Sequence, residues 1–596
     1  MPGLSIWQGV NATDNAFAQE LESVRHFDRY RSETLEGLEH TRVGYTADPS
    51  YPIEIVDGET IRVIVEGRLY NRTLGETELL DLGASLLDES ESAGIREWVR
   101  QTDGDFVLCA IDTESANVAL ANDLFGRLPV YHRQTSDGVR ASREIQFLLP
   151  GERPVEADSI GVAQTLLFGY PLADRTLWRN ITKLPPASIL RIDGECRSVT
   201  QLVEFDFDAK RHQHRSVARN ARELAGRFVT ASRARSENDP TVVSLSGGHD
   251  SRAVAAALGL SETKSRAVTF ARNGATTRDV RIAKDVAEAL DIEWHRYDIP
   301  PTSATQARTL LDLKAGLNHV GMGFILGFFE RLRETVGPGL TYLTGDGGDK
   351  ALPDLRPSVQ LSDLDDLVEY TISRNSVVAP SRAADLARVS RRELRASVRK
   401  VLASYPEQTL ADKYVHFLIH ERGFNWLFEG EDRNRYYSWT ATPFYSTQFF
   451  RYAMNVPHGQ KRHNRLYREF FAALWPPAMT FDDADLATPM GSARYDLVQR
   501  GLDVLERHPR LKSAVRSVYR GELFDGGDSS LKRLVQYQLD SLPRGHLPTN
   551  RGPSDAAPPA NGSRHAQATI LTVLAAMDVL ETGRCVFDRH PDVAFR

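Results

Sequence analysis

An α/β protein built on a parallel sheet and ending in a helical part is the fold class that three features of this 596-residue chain predict. The β-branched run Thr241-Val242-Val243-Ser244-Leu245 leads into the glycine turn Ser246-Gly247-Gly248-His249-Asp250-Ser251, and an alanine-rich helix follows from Arg252 to Leu260. Arg266-Ala267-Val268-Thr269-Phe270 and Ile292-Glu293-Trp294-His295 read as two more strands, separated by an amphipathic helix from Asp279 to Leu290. A further short strand, Thr341 to Leu343, runs into the acidic turn Thr344-Gly345-Asp346-Gly347-Gly348-Asp349. Strands alternating with helices predict parallel pairing, because consecutive parallel strands need a crossover between them.

The first turn has a chemical reading of its own. A turn at the carboxyl end of a strand that opens a helix presents backbone N–H groups and about half a positive charge to an anion. Gly247 and Gly248 let the main chain approach phosphate oxygens, and Ser246 and Ser251 add hydroxyl donors. Asp250 would repel phosphate unless a divalent cation stood between them, and Mg²⁺ is held by one or two carboxylates plus phosphate oxygens. The plain alternative is a strand-to-helix turn with no ligand, since glycine turns are common. No Gly-x-x-x-x-Gly-Lys-Ser/Thr occurs, and no Gly-x-Gly-x-x-Gly follows a strand, which argues against the two commonest nucleotide loops.

Length allows two or three domains with full cores, and 41% hydrophobic with 26% charged residues is ordinary globular composition. A net charge of −7 with no Lys/Arg-rich block argues against nucleic acid as a partner. Cys109, Cys196 and Cys585 form neither a disulfide framework nor a zinc pattern, so a reducing, cytoplasmic setting is expected. No leader and no apolar run of about 20 residues is present, so no membrane span is expected. Pro548, Gly552, Pro553, Pro558, Pro559 and Gly562 mark a linker, and the apolar helical spacing of 567–582 predicts a helix that docks back onto the body.

The Ser246–Ser251 loop resembles the Ser-Gly-Gly-x-Asp-Ser loop of enzymes that split ATP between the α and β phosphates, and Leu343 to Asp349 resembles the Leu-Ser-Gly-Glu-Gly-Ala-Asp-Glu motif of asparagine synthetases. Other segments follow that family in order. Glu66-Gly67-Arg68-Leu69-Tyr70-Asn71, Asn122 to Tyr131 and Ile181 to Pro186 lie upstream, and Glu431-Asp432-Arg433, Thr442-Pro443-Phe444 and Ala453 to Pro457 lie downstream. The resemblance implies an Ntn-type αββα sandwich over 1–205 and an adenine-nucleotide α-hydrolase-like, ATP-pyrophosphatase domain over 206–543. A linker at 544–566 and a helix over 567–596 complete the expected layout.

By that resemblance Ser246, Gly247, Gly248 and Ser251 cradle ATP phosphates, Asp250 and Asp349 bind Mg²⁺, Thr344 and Gly345 lie against the nucleotide, and the backbone near Val268 and Phe270 meets adenine. Asp346 replaces the family's Glu and is the candidate to orient or deprotonate an amine; the alternative is a turn cap. His249 fills a usually apolar position and receives no role. Departures are as informative. Pro2 stands where the family's catalytic Cys becomes the first residue, which removes the glutaminase nucleophile, and Glu66-Gly67-Arg68 replaces Asn-Gly-Glu. The family's late Lys, four residues before an Arg, is Asn464 ahead of Arg468, so Lys461 and Arg465 are the candidate substitutes. Lys350 stands where a second Glu is usual, and Trp439-Thr440-Ala441 replaces Glu-x-Arg.

The implied activity is an ATP-dependent amide-forming ligase that adenylates a carboxylate and couples it to ammonia or a substrate amine without hydrolysing glutamine. Closure within one molecule, as in β-lactam synthetases and lasso-peptide cyclases, and a non-catalytic ATP-binding module are the alternatives. The substrate is a small-molecule or peptide carboxylate, and homodimer assembly is left open.

Overall fold

A computed structural model describes residues 2–507 and 564–595, apart from 36–37, 39, 151–154, 195, 209, 238, 262, 273–276, 485 and 592–593. The amino-terminal part is a pair of six-stranded sheets, antiparallel throughout. The strand Gly3–Gln8 lies inside the first sheet, between Thr41–Ala47 and Gly138–Ser142. The strand Gly104–Asp112 lies inside the second, between Ile61–Leu69 and Val118–Asn122. The Gly104–Asp112 strand, a nearly unbroken apolar run, is buried on both sides because one face meets the other sheet and one the helix Glu76–Leu87. Cys109 is buried in that strand and free. Leu4 and Ile6 of the first sheet share one apolar core with Ile64 and Leu108 of the second, and the helix Asp14–Ser23 covers the first sheet outside, completing an αββα sandwich.

The second body is a five-stranded sheet ordered Glu293–Ile299, Ser265–Arg272, Thr241–Ser244, Thr341–Leu343, Trp439–Ala441, all pairs parallel. Thr241–Ser244 sits in the middle because Val242 and Val243 face opposite sides and both are buried. From this strand the chain first builds outward to one side and later returns to build the other. The carboxyl ends of Thr241–Ser244 and Thr341–Leu343 therefore flank the crevice at which the order reverses, where open α/β sheets bind ligands. The helix Val217–Ala234, capped by Ser216, buries Leu224 and Phe228 and packs on the helices Arg465–Leu474 and His249–Leu260, Phe228 meeting Phe444, Phe449 and Phe470. The helix Arg564–Thr582 packs on Ser159–Phe168 and on the turn at Val320, whose N–H donates to Thr572 Oγ1 at 3.0 Å. It starts at Arg564, so 564–566 are helical, and the linker residues 544–563 lie outside the described residues. Among the described residues no helix is long and apolar enough to cross a membrane.

The two bodies meet through buried charge. Arg143 donates to Glu66 at 2.8 Å and to Asp432 at 2.6 Å. Lys314 joins Asp432 at 2.8 Å to Glu429 at 2.6 Å, and Lys183 reaches Glu429 at 2.8 Å. Arg127 pairs with Glu431, and Arg435 lies 3.5 Å from Asp105. All of these side chains are at most 2% exposed. Burial alone would raise the Asp432 carboxyl, but Arg143 and Lys314 outweigh it and hold it below the ordinary carboxylate range.

Two histidines make the fold acid-labile. Burial pushes His420, packed between His416 and Phe424, down to about 3, and pushes His319 down to about 4. Both are neutral in the fold, whereas the unfolded chain binds their protons below about 6.5. Their contribution to stability is intact above pH 6.5 and is lost as pH falls toward 4, at up to about 1.4 kcal/mol per pH unit for each group. Chemical denaturation of the wild type and His420→Phe between pH 7 and 5 should show the wild type losing more stability, or gaining less, than the variant as pH falls.

Candidate functional site

The Ser246–Ser251 turn follows the Thr241–Ser244 strand and opens the helix His249–Leu260. Its backbone is already arranged for oxygen ligands. Ser246 N–H donates to Ser251 Oγ at 3.0 Å, Gly248 N–H to Ser246 Oγ at 3.1 Å, and Gly247 N–H to the carboxylate of Asp279 at 2.7 Å. A Cβ on Gly247 would lie 2.9 Å from the Asp279 Cα, so only glycine fits at that approach. Arg252, fully buried, donates to the carbonyls of Gly247, Ala478 and Asp482 at 3.1, 3.0 and 2.9 Å, which ties the turn to the segment after the helix Arg465–Leu474.

The second acidic turn lies directly against the first. Asp349 N–H donates to Asp250 Oδ2 at 3.0 Å. A Cβ on Gly345 would fall 2.5 Å from Ser251 N, and one on Gly348 would fall 2.4 Å from Asp250 Oδ1. The glycines that punctuate Thr344–Asp349 are therefore demanded by the close packing of two loops about a hundred residues apart in sequence. Burial pushes the Asp250 carboxyl up to about 7, and the negative charges of Asp349 and Asp346 add to it. Asp346 is raised as well, by burial and by Asp349.

This donor set fits a magnesium–nucleotide group. Among the described residues no cluster of three or more His, Cys, Asp or Glu encloses a metal position, but Mg²⁺ bound with phosphate needs only one or two carboxylates. Asp250 and Asp349 supply two, at the mouth of a turn whose glycines leave room for backbone N–H groups to meet an anion. The raised proton affinity of Asp250, caused by burial and by the neighbouring charge of Asp349, is what a shared cation would relieve.

The other candidates fall as follows. Thr344, 7% exposed, anchors its turn, its N–H donating to the Ala441 carbonyl at 3.0 Å and its Oγ1 accepting from Asp346 N at 3.4 Å. The Val268 carbonyl accepts from Leu245 N–H at 2.9 Å, and the Phe270 ring packs on Phe324 and Phe328. Lys461 is buried and donates to the Ala351 carbonyl at 2.8 Å, two residues beyond Asp349, and burial lowers its amine to about 7. Arg465 is exposed at the start of its helix, Asn464 bonds Tyr495, and Arg468 pairs with Asp496. Lys350 pairs with Asp349.

Sequence reasoning missed the residues that hold the site in place. Tyr467, the third residue of the helix that Arg465 begins, donates its hydroxyl to Asp250 Oδ1. His249 bonds Asp483 at 2.7 Å and lies edge-on to Tyr467. These pairings span more than 200 residues, and nothing local in the sequence announces them.

A glycine-rich turn and an acidic turn thus meet at the switch point of a parallel sheet, carried behind a two-sheet sandwich. Residues 223–351 match the asparagine synthase family model and residues 37–202 match a glutamine amidotransferase domain model, an order that gives the chain an asparagine synthetase-family architecture. No curated protein sequence matches the chain. Among solved structures, "Structure of the allosteric regulatory enzyme of purine biosynthesis" is 11% identical, covering 51% of this chain and 82% of that one, with a TM-score of 0.25. The glutamine phosphoribosylpyrophosphate amidotransferase from B. subtilis, complexed with ADP and GMP, is 9% identical, covering 60% and 83%, also with a TM-score of 0.25. Likeness at that level carries no inference about this chain.

Proposed function

We propose that the protein adenylates a carboxylate with Mg²⁺–ATP, releases pyrophosphate, and passes the acyl group to ammonia or a substrate amine. The observation that carries this reading is the contact of the Asp250 and Asp349 turns, with Asp346 beside them. Bound Mg²⁺ would neutralise charge gathering on the phosphates, with Asp250 and Asp349 as its protein ligands. Ser246 and Ser251 would orient the phosphate tail, with Gly247 and Gly248 exchanging their N–H bonds to Asp279 and Ser246 for phosphate oxygens, and donors placed in this way favour the charge distribution of the transition state. Asp346, with its raised carboxyl, is placed to accept a proton from an incoming amine.

The amino-terminal body supports a reading without glutaminase chemistry. Pro2 is buried at the start of the first strand, and Glu66 accepts from Leu4 N–H at 3.0 Å, Tyr51 Oη at 2.7 Å and Arg143 Nε at 2.8 Å. An internal ion pair thus occupies the space beside residues 2–4, where a Cβ on Gly3 would strike both Glu66 and Arg143. Purified protein should exchange labelled pyrophosphate into ATP when a suitable acid is present and should release no glutamate from glutamine. Glutamate release would overturn the second half of this reading, and a failure of ATP to bind would overturn the first.

A further inference from the structure

The cations buried between the two bodies have carboxylate partners. Arg127, Arg143, Lys183, Lys314 and Arg435 each reach a Glu or Asp, whereas Arg433, only 6% exposed, has none within ion-pair range among the described residues. Its Nε and Nη2 donate to Asn434 Oδ1 at 3.2 and 2.9 Å, and its Nη1 donates to Asn318 Oδ1 at 3.3 Å. A guanidinium carries five N–H donors, so one is left on each terminal nitrogen, and the two terminal nitrogens are the pair that grips a carboxylate end-on. Neutral amide oxygens orient such a group without cancelling its charge. Burying an unpaired cation costs several kcal/mol, which a fold tolerates where a ligand completes the pair.

Its position is the edge of the nucleotide crevice. Arg433 lies within electrostatic range of Asp346 in the second acidic turn and of the Tyr342 hydroxyl, and that hydroxyl bonds Ser244, just ahead of the phosphate turn. Burial lowers its guanidinium to about 10, in keeping with the missing counter-charge.

We propose that Arg433, held open by Asn318 and Asn434, binds the carboxylate of the acid substrate beside the phosphate turn and selects for anionic acyl substrates. The assignment rests on the ligase reading given above. It also accounts for the arrangement around Asp346, since an acid held by Arg433 and an amine facing Asp346 would meet at the mouth of the same crevice.

The test is calorimetric and thermal-shift titration of the full chain, saturated with Mg²⁺ and a non-hydrolysable ATP analogue, with acetate, succinate, L-aspartate and L-glutamate as probes. At least one carboxylate should bind the wild-type protein. Arg433→Gln should weaken that binding by about 30-fold or more, the usual effect of truncating one partner of a buried charge pair. Arg433→Lys keeps charge and length but loses the two-pronged geometry, and should weaken it by about tenfold. The thermal shift caused by the nucleotide analogue should be unchanged in both variants. Wild-type affinity in Arg433→Lys, or nucleotide binding with no carboxylate binding in the wild type, would overturn the Arg433 assignment. Absence of the nucleotide shift in the wild type would instead overturn the ligase reading beneath it.

Discussion

Asp250→Asn is expected to abolish pyrophosphate exchange, with a loss of about 1,000-fold or more, while leaving the protein folded. The size follows from removing a charged metal ligand whose cation stabilises the reacting phosphates by several kcal/mol, each 1.4 kcal/mol being a factor of ten in rate. Folding should survive because Asp250 is a crowded carboxylate in the free protein. Burial and Asp349 raise its proton affinity, so an uncharged amide in its place relieves repulsion. The variant should therefore melt at or slightly above the wild-type temperature. Tyr467→Phe is the milder companion. It removes the hydroxyl that orients Asp250, and should raise the Mg²⁺ concentration needed for half-maximal exchange by about tenfold. Activity measured across a magnesium titration separates the two, since excess metal should rescue Tyr467→Phe and not Asp250→Asn.

Asp432→Ala carries the largest expected effect on stability. Its carboxylate bridges Arg143 of the sandwich and Lys314 of the second body, and all three are essentially without solvent. Deleting it takes one carboxylate from each of two buried cations, leaving Arg143 with Glu66 alone and Lys314 with Glu429 alone, and breaking a buried network in this way costs about 3–5 kcal/mol. Urea denaturation should show the loss as an earlier transition, with the two bodies separating in their unfolding. Replacing the charges together is a different experiment. A fourfold change of Glu66, Arg143, Lys314 and Asp432 to apolar residues of similar volume, which leaves Glu429 its Lys183, should recover much of the loss, because the network's desolvation cost goes with it. The interface also gives the sandwich a structural role: Arg143 pairs with Asp432, Lys183 with Glu429, Arg127 with Glu431 and Asp105 with Arg435.

The sequence was readable where chemistry is local. A strand, a glycine turn and a helix in immediate succession gave the phosphate turn, and the order of strands and helices gave the parallel sheet. The acidic turn at 344–349 was also legible, although the reason for its glycines was not. Gly345 and Gly348 are required by the backbone and carboxylate of Asp250, a contact across about a hundred residues that no local pattern encodes. The same holds for Tyr467, whose position reads as an ordinary apolar-face residue of an amphipathic helix. Arg433 was visible only as part of a family-like Glu-Asp-Arg segment. Its distinction from Arg127 and Arg143 is the absence of a carboxylate neighbour, which is a property of the folded chain. Lys461 proves committed to the Ala351 carbonyl, and Arg465 lies exposed on its helix.

The claim on which the account turns is that the Asp250 and Asp349 turns jointly grip one metal–nucleotide group. Electron paramagnetic resonance of Mn²⁺, replacing Mg²⁺, measures this most directly in the presence and absence of ATP. One Mn²⁺ per chain should bind with ATP, and that binding should be lost in both Asp250→Asn and Asp349→Asn. Equal binding of Mn²⁺–ATP by the wild type and both variants would contradict the account.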